Sequence, residues 1–237
     1  MKQGKMFYEG KAKKLYETDD PNLVIQEFKD DATAFNAKKK GTITDKGVMN
    51  NKISAVLFSH LEKQGIKTHF VELLDDRRML VKKLQIILIE MTVRNVTAGG
   101  ISKSLGIQEG IVLKKPVLEY HYKRDDLDDP LMNRDHAEVL ELASHEEMDY
   151  LDRTSLKVNR LLQEFFLKRN LTLVDFKLEF GRHGNELLLG DEISPDTMRL
   201  WEVGTNKKMD KDRFRRDLGD IEEAYQEVLK RVQKAYS

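Results

Sequence analysis

The sequence predicts an α+β fold of two lobes sharing a cleft. Strand-like segments dominate the first part of the chain, and helical stripes join later. A length of 237 residues suits one large domain or two smaller lobes. Apolar residues make up 40% of the chain and charged residues 35%, which allows a sizeable core and argues against disorder. The boundary between the lobes is placed between residues 84 and 85, giving units 1–84 and 85–237.

The segment Met6 to Phe28 reads as short strands, punctuated by Gly10 and by Asp19-Asp20-Pro21. Lys46 to Lys63 reads as a helix, because Met49, Ile53, Val56, Leu57 and Leu61 fall on one stripe. Gly65 follows as its C-terminal cap. Strands are expected at Thr68–Leu73, Met79–Leu84 and Ile86–Asn95, the last carrying Glu90, Thr92 and Arg94 on one face. Ala98 to Leu105 reads as a helix entered through glycine, Ile111 to Tyr122 as extended, and Lys123 to Asn133 as a charged loop. Ser144 and Glu147 form a capping-box pattern, so a long helix should run from there to about Lys168. Strands Thr172–Gly181 and Glu186–Ile193 follow. Ser194 to Trp201 reads as a turn, and Lys208 to Arg216 as an exposed helix face of alternating charge. A last helix begins at Asp220, with Ile221, Ala224, Tyr225, Val228, Leu229 and Val232 on its buried stripe.

Lys plus Arg equals Asp plus Glu at 41 each, a balance that gives no support for a nucleic-acid or membrane-surface protein. There is no cysteine, so disulfides, thiolate metal sites and cysteine nucleophiles are excluded. Met1 to Gly10 lacks an apolar leader, and the longest apolar run, Ile86 to Ile89, is far too short to span a bilayer. The expectation is a soluble cytoplasmic protein acting on small molecules.

The most informative stretch is Val174-Asp175-Phe176-Lys177-Leu178-Glu179-Phe180-Gly181. Alternation sends Val174, Phe176, Leu178 and Phe180 to one side and Asp175, Lys177 and Glu179 to the other. On alternation alone, a charged face is a solvent-facing face. The following strand changes the balance. A three-residue loop at His183-Gly184-Asn185 puts Arg182 opposite Glu186 and Lys177 opposite Asp191. Asp191 then joins the face of Asp175 and Glu179, and the carboxylates gather around one lysine. Such a cluster is costly unless a cation neutralises it, and oxygen ligands without His or Cys suit Mg²⁺. An even-length loop would send Asp191 to the apolar face instead.

Gly10-Lys11-Ala12-Lys13-Lys14 offers flexible backbone and cations for phosphates, although many surface hairpins look the same. Neither a P-loop nor a Gly-x-Gly-x-x-Gly pattern occurs. Val93-Arg94-Asn95 followed by Ala98-Gly99-Gly100 reads equally as a strand feeding an anion-binding helix end or as a plain glycine turn. Asp196 and Arg199 are presented by the Ser194–Trp201 turn, where Arg199 could hold a phosphate or carboxylate or form a surface ion pair. The six histidines are scattered and none is assigned to catalysis. Asp125 to Asp129 lacks EF-hand spacing and reads as a solvated acidic loop.

Taken together, these residues resemble the phosphoribosylaminoimidazole-succinocarboxamide synthase (SAICAR synthetase) family. Val174 to Gly181 resembles its signature, and Tyr8-Glu9-Gly10-Lys11-Ala12-Lys13 its opening nucleotide loop. Asp31-Ala32-Thr33-Ala34-Phe35-Asn36, Lys46-Gly47, Asn50-Asn51-Lys52-Ile53-Ser54, Val93-Arg94-Asn95, Asp129-Pro130, Asp191-Glu192-Ile193-Ser194-Pro195-Asp196 and Met209-Asp210-Lys211-Asp212 follow in the family's order. The resemblance spans nearly the whole chain.

It implies an antiparallel-sheet, kinase-like N-terminal nucleotide-binding lobe over a larger α+β lobe similar to ATP-grasp proteins, with metal and substrate sites. It also implies a Mg²⁺-dependent reaction in which ATP, carboxyaminoimidazole ribonucleotide and L-aspartate give the succinocarboxamide, ADP and phosphate, and a homodimer. By resemblance, Lys11, Ala12 and Lys13 hold ATP phosphates, Lys82 lies near the nucleotide, and Glu179 and Asp191 bind Mg²⁺. Asp175 and Lys177 face the reacting end of the imidazole substrate. Arg94, Gly100 and Arg199 grip the ribose phosphate with Asp196 nearby, Lys123 and Asp129 lie on a loop over the substrate, and Arg215 joins them. Several positions depart from the family pattern. Gly100 replaces a serine, Ser104 an arginine, Ala37 a glycine and Glu202 an aspartate, and Asp75-Asp76-Arg77-Arg78 replaces a Ser-Glu-Thr-Glu-like stretch. Loss of the serine hydroxyl removes about 0.5–1.5 kcal/mol of phosphate binding where backbone N–H groups compensate. A ligase of the same architecture with another acceptor, or a nucleotide-binding regulatory module, are the competing readings.

Overall fold

The structure, a computed structural model, describes residues 2–34 and 39–234. Five strands open the chain: β1 (Gln3–Glu9), β2 (Lys13–Thr18), β3 (Leu23–Phe28), β4 (Asp31–Ala34) and β5 (Lys39–Thr42). Then come α1 (Lys46–Lys63), β6 (Phe70–Leu73), β7 (Arg78–Lys82), β8 (Gln85–Val96), α2 (Gly100–Leu105) and β9 (Val112–Tyr122). A 3₁₀ turn at Asp125–Leu127 precedes β10 (Leu131–Met132), α3 (Arg134–Val139) and α4 (His145–Leu167). The chain ends with β11 (Leu171–His183), β12 (Glu186–Leu189), β13 (Met198–Glu202), α5 (Asp212–Arg215) and α6 (Ile221–Gln233). Phe35, Asn36 and Ala37, three residues of the family comparison above, lie outside the described residues.

Two antiparallel sheets organise these elements. The smaller has the order β1-β2-β3-β7-β6, and the larger runs β10-β9-β8-β11-β12, with β13 also paired to β11. A separate hairpin joins β4 and β5. The chain passes from the first sheet to the second between Lys82 and Gln85. The α+β class is therefore as the sequence predicts.

Helix α1 has the predicted bounds. Gly65, at φ 76°, ends it: its N–H donates to the Glu62 carbonyl at 2.9 Å, and the Ile66 N–H donates to Leu61 at 3.1 Å. Along its length Ile53, Leu57, Phe58 and Leu61 pack into the core under the larger sheet, while Ala55 packs with Val24, Phe28, Met79 and Val81 of the smaller. Helix α4 starts at the capping box, with the Glu147 N–H donating to Ser144 Oγ at 3.2 Å and the Ser144 N–H to Glu147 Oε2 at 2.9 Å. Its Met148, Leu151, Val158, Leu162 and Phe166 are fully buried in the main core. Each such side chain contributes roughly 1.5–3 kcal/mol by leaving water.

Some local expectations are corrected. The second half of the supposed turn at Ser194–Trp201 is strand β13, which pairs with β11. The strand from Glu186 ends at Leu189 rather than Ile193. Helix α3 lies where no element was expected, entered through Asn133, whose side chain accepts the His136 N–H at 3.0 Å. Val174 does not share the packing of Phe176, Leu178 and Phe180. A bulge between Leu173 and Asp175 in the β11–β13 pairing sends it to a separate cluster with Val96, Ala98 and Trp201. Lys208–Arg216 is not an exposed helix face, since Met209, Asp210, Asp212 and Arg213 are buried.

Candidate active site

The site is built on the adjacent strands β8 and β11. Their register sets Asp175 opposite Arg94, Lys177 opposite Thr92, and Glu179 opposite Glu90. Opposed residues of an antiparallel pair share a face, so these polar side chains line one side of the larger sheet. The face is not a solvated surface: Asp175 and Glu179 are buried.

Glu90 and Glu179 would repel each other across the strands. Lys177 Nζ lies between them, donating to Glu90 Oε1 at 2.8 Å and also to Glu179. Lys123 Nζ donates to Glu179 Oε1 at 2.9 Å. Burial raises the pKa of Glu179, but the charges of Lys177 and Lys123 outweigh it and hold the carboxyl below the usual range. Burial likewise opposes charge on Lys177, and Glu179 and Glu90 overcome it, placing the ammonium well above its ordinary pKa. Glu90 is a site residue the sequence reading leaves unassigned, although its alternation with Thr92 and Arg94 carries the signal.

Asp191 arrives by a different route from the one expected. His183 pairs with Glu186 and Arg182 with Leu187, so the loop is Gly184-Asn185, of even length. Continued alternation would have turned Asp191 to the apolar face. Instead the Gly190 N–H donates to the Glu179 carbonyl at 2.9 Å, and Asp191 adopts a left-handed conformation at φ 59°. That turn brings its carboxylate onto Lys13 Nζ, which also lies 3.1 Å from Glu192 Oε1. Burial lowers the pKa of Lys13, but Asp191 and Glu192, with Glu179 behind them, outweigh it and raise it. Lys13, Asp191 and Glu179 are therefore within electrostatic reach of one another, whereas the three-residue loop that was to set Asp191 opposite Lys177 does not occur. Glu192 is a second residue left unassigned by the sequence reading.

At the other end of the face, Asp175 Oδ2 accepts from Arg94 Nη1 and Arg199 Nη1, both at 2.8 Å. Arg199 Nε donates to Asp212 Oδ2 at 2.9 Å, and Arg215 Nη1 to Asp212 Oδ1 at 2.7 Å. Burial raises the pKa of Asp175 despite the two guanidinium groups. Asp210 beneath this network is fully buried, and burial with the neighbouring Asp212 charge pushes it up to about 7. Gly99 and Gly100 stand against the arginines: a Cβ at Gly100 would meet Arg94 Nη2 at 3.2 Å. Arg199 is thus no isolated surface ion pair.

Asp196 is sealed inside. It accepts from Lys46 Nζ and from the Tyr225 hydroxyl, each at 2.7 Å, and Lys211 Nζ lies 3.4 Å away. Lys11 Nζ reaches Asp125 at 2.7 Å, joining the β1–β2 loop to the loop after β9. The Ala12 carbonyl accepts the Lys29 N–H at 2.8 Å. The Asp129 carboxylate accepts the Arg124 N–H at 2.9 Å within its own loop. Lys82 on β7 donates its backbone N–H to His69 at 2.7 Å. Among the described residues, Lys82 and Asp129 form no ion pair with the clusters above.

No group of three or more His, Cys, Asp or Glu side chains able to hold a metal occurs among the described residues. Glu179 and Asp191 fit a different mode. Mg²⁺ is commonly held by one or two carboxylates plus substrate phosphates rather than by an all-protein cage, and both groups are hard oxygen donors near the Lys13 ammonium.

A family model for SAICAR synthetase matches residues 6–232. The chain belongs to the SAICAR synthetase family. It is 61% identical to the phosphoribosylaminoimidazole-succinocarboxamide synthase of Pelodictyon phaeoclathratiforme over 232 residues, covering 98% of each chain. Among solved structures, the synthase from Ehrlichia chaffeensis superposes with a TM-score of 0.95 at 46% identity, covering 98% of this chain and 100% of that one. A SAICAR synthetase solved in complex with ADP superposes with a TM-score of 0.93 at 45% identity, covering 97% and 98%. The family accounts for the two-lobe α+β architecture and makes the protein an ATP-dependent ligase of purine biosynthesis. No helix among the described residues is long and apolar enough to cross a membrane.

Proposed function

We propose that the protein joins L-aspartate to the carboxylate of carboxyaminoimidazole ribonucleotide, on the single face where β8 and β11 place an arginine-rich end and a lysine–carboxylate end side by side. A carboxylate is a poor acyl donor. Its oxygen attacks the γ-phosphorus of ATP, ADP leaves, and an acyl phosphate forms. The aspartate amine then attacks the acyl carbon, phosphate departs with the bonding pair, and the nitrogen gives up a proton. The work of the protein is positioning and charge neutralisation.

Arg94 and Arg199, backed by Asp175, offer a fixed pair of guanidinium groups to the ribose phosphate, with Gly99 and Gly100 leaving room beside them. Lys177 and Lys123 face the reacting carboxylate and the charge that builds on it. Lys11, Ala12 and Lys13 meet the polyphosphate, and Lys82 the nucleotide. Glu179 and Asp191 would hold Mg²⁺, which supplies charge neutralisation at the phosphates when bound. Arg215 shapes the substrate side, Asp196 supports it from the interior through Lys46 and Tyr225, and Asp129 lies on the loop above it. A cytoplasmic homodimer completes the proposal, with its lobes divided between residues 84 and 85, a division that the change of sheet between Lys82 and Gln85 supports.

The test is ADP release by purified protein with all three substrates, omitting each in turn. Turnover requires all three and falls about a hundred- to a thousandfold in Lys177→Ala, as for removal of one preorganised group. ADP release that ignores the imidazole ribotide would overturn the acceptor, and unchanged turnover in the variant would remove Lys177 from the site.

A further inference from the structure

The third strand of the site face, β9, carries a histidine that the proposed reaction does not use. Pairing with β8 sets Glu119 opposite Thr92 and His121 opposite Glu90, and Lys123 reaches Glu90 and Glu179. Alternation along β9 therefore adds Glu119, His121 and Lys123 to the polar side of the sheet. Glu119 Oε2 accepts from Arg94 Nε and lies against Arg94 Nη2, each at 2.8 Å. The guanidinium that Asp175 holds at Nη1 is thus held at its other edge as well. His121 Nε2 lies 3.4 Å from the same Glu119 oxygen, and its Nδ1 lies 3.1 Å from the Asp129 carbonyl oxygen. A carboxylate and a carbonyl both accept hydrogen bonds and donate none. Neutral imidazole donates to one of them, whereas imidazolium donates to both.

The loop beyond β9 leans on this ring. Asp128 and Asp129 are both left-handed, at φ 60° and 47°, a conformation that side-chain-bearing residues keep where their surroundings hold it. Inside the loop, the Asp129 carboxylate accepts the Arg124 N–H at 2.9 Å and the Asp129 N–H donates to the Arg124 carbonyl at 3.2 Å. The His121 side chain ties the Asp129 carbonyl to the sheet face. We propose that His121 is a positioning residue for the ribotide: as an imidazolium it fastens the Asp129-Pro130 loop to Glu119 and, through Glu119, holds Arg94 toward the ribose phosphate. This rests on the ligase reading above. Glu119 favours the charged ring against burial, with the Asp129 carbonyl adding to it and Arg94 opposing, so the pKa of His121 is raised. The remaining charged groups of the face are Glu90 across the strands, Lys123 on β9 itself and Lys177 on β11, while β10 sets the uncharged Leu131 opposite the histidine.

The experiment is steady-state kinetics of His121→Phe and His121→Asn across the range in which imidazole titrates, with each substrate varied in turn. His121→Phe should raise KM for the ribotide about tenfold, while KM for ATP and for aspartate stays within about twofold. The gap from wild type should be widest at the acid end and close as pH rises through the His121 titration, because deprotonation removes one of the two N–H donors of the wild-type ring. A merely structural ring would leave a gap indifferent to pH. His121→Asn keeps an N–H donor near the place of Nδ1 and should recover part of the loss without the pH dependence. In the wild-type protein, deuterium exchange at the His121 C2 carbon, read by peptide mass spectrometry across pH, follows the ring itself. Bound ribotide should raise its pKa, the reciprocal of tighter binding to the imidazolium form; this arm decides the matter should the variants fail to fold. An unchanged KM for the ribotide in a folded His121→Phe variant, a gap that does not move with pH, or a His121 titration indifferent to the ribotide overturns the positioning role. Wild-type ADP release without any need for the ribotide would instead overturn the ligase reading itself.

Discussion

Gly99 sits so close to Arg199 that a Cβ on it would stand 2.4 Å from Nη2. Its backbone, at φ 60° and ψ −120°, is one that side-chain-bearing residues avoid. Gly99→Ala must therefore strain the turn or displace the guanidinium from Asp175. The expected outcome is a fall of about tenfold or more in kcat/KM for the ribotide, matching ~1.4 kcal/mol of lost transition-state binding. Steady-state kinetics with the ribotide varied would show it; an unchanged kcat/KM refutes the idea that Arg199 needs this clearance.

Lys177 is the neutraliser of two opposed carboxylates, Glu90 and Glu179. Glu179 has a folded pKa below its unfolded one, so its contribution to stability is present above the unfolded value and is lost as pH falls. Removing the lysine as Lys177→Met takes that contribution away and leaves buried acids facing each other, a loss of roughly 3–5 kcal/mol at neutral pH. Chemical denaturation across pH should show the two proteins far apart at pH 7, with the gap narrowing as the variant's unpaired acids take up protons and narrowing further below about pH 4.5, where the wild-type protein loses the Glu179 contribution. Parallel curves would mean that Lys177 does not set the titration of Glu179.

Asp210 behaves in the opposite sense. Its folded pKa of about 7 is raised, so its contribution is fully present below the unfolded carboxylate value and is lost as pH rises through 7. The groups around it are Arg199, Asp212 and Tyr225, together with the Leu200 and Asp212 N–H groups that donate to it at 2.8 and 2.7 Å. Between about pH 4 and pH 7 the wild-type protein should lose stability relative to Asp210→Asn, which cannot titrate. Urea midpoints of both proteins over that window measure the difference, and a constant gap would show that Asp210 is ionised throughout.

Much of this architecture is written in local pattern. The bounds of α1, its exit at Gly65 and the Ser144 capping box follow from apolar spacing and short-range hydrogen bonding, which a single segment determines by itself. The polar faces of β8 and β11 are legible for the same reason, since alternation puts Glu90 with Arg94 and Asp175 with Lys177 and Glu179; that those faces are buried is not. What fails is what depends on a neighbour. A hairpin one residue shorter than expected shifts every partner of β12, and only the left-handed turn at Asp191 restores that carboxylate to the cluster. The charges at Asp210, Asp212 and Arg213 look like a solvated run until β13 and the Asp175 network cover them. Lys46 and Tyr225 read as an ordinary helix start and an ordinary apolar stripe, because Asp196, their common partner, is far away in sequence.

Helix α1 lends side chains to both apolar interiors, and Phe70 on β6 touches the two of them as well. Neither sheet can shed its packing while α1 stays in place for the other. The chain should accordingly melt as one cooperative unit, with calorimetric and van't Hoff enthalpies that agree, even though its two larger sheets are hydrogen-bonded separately.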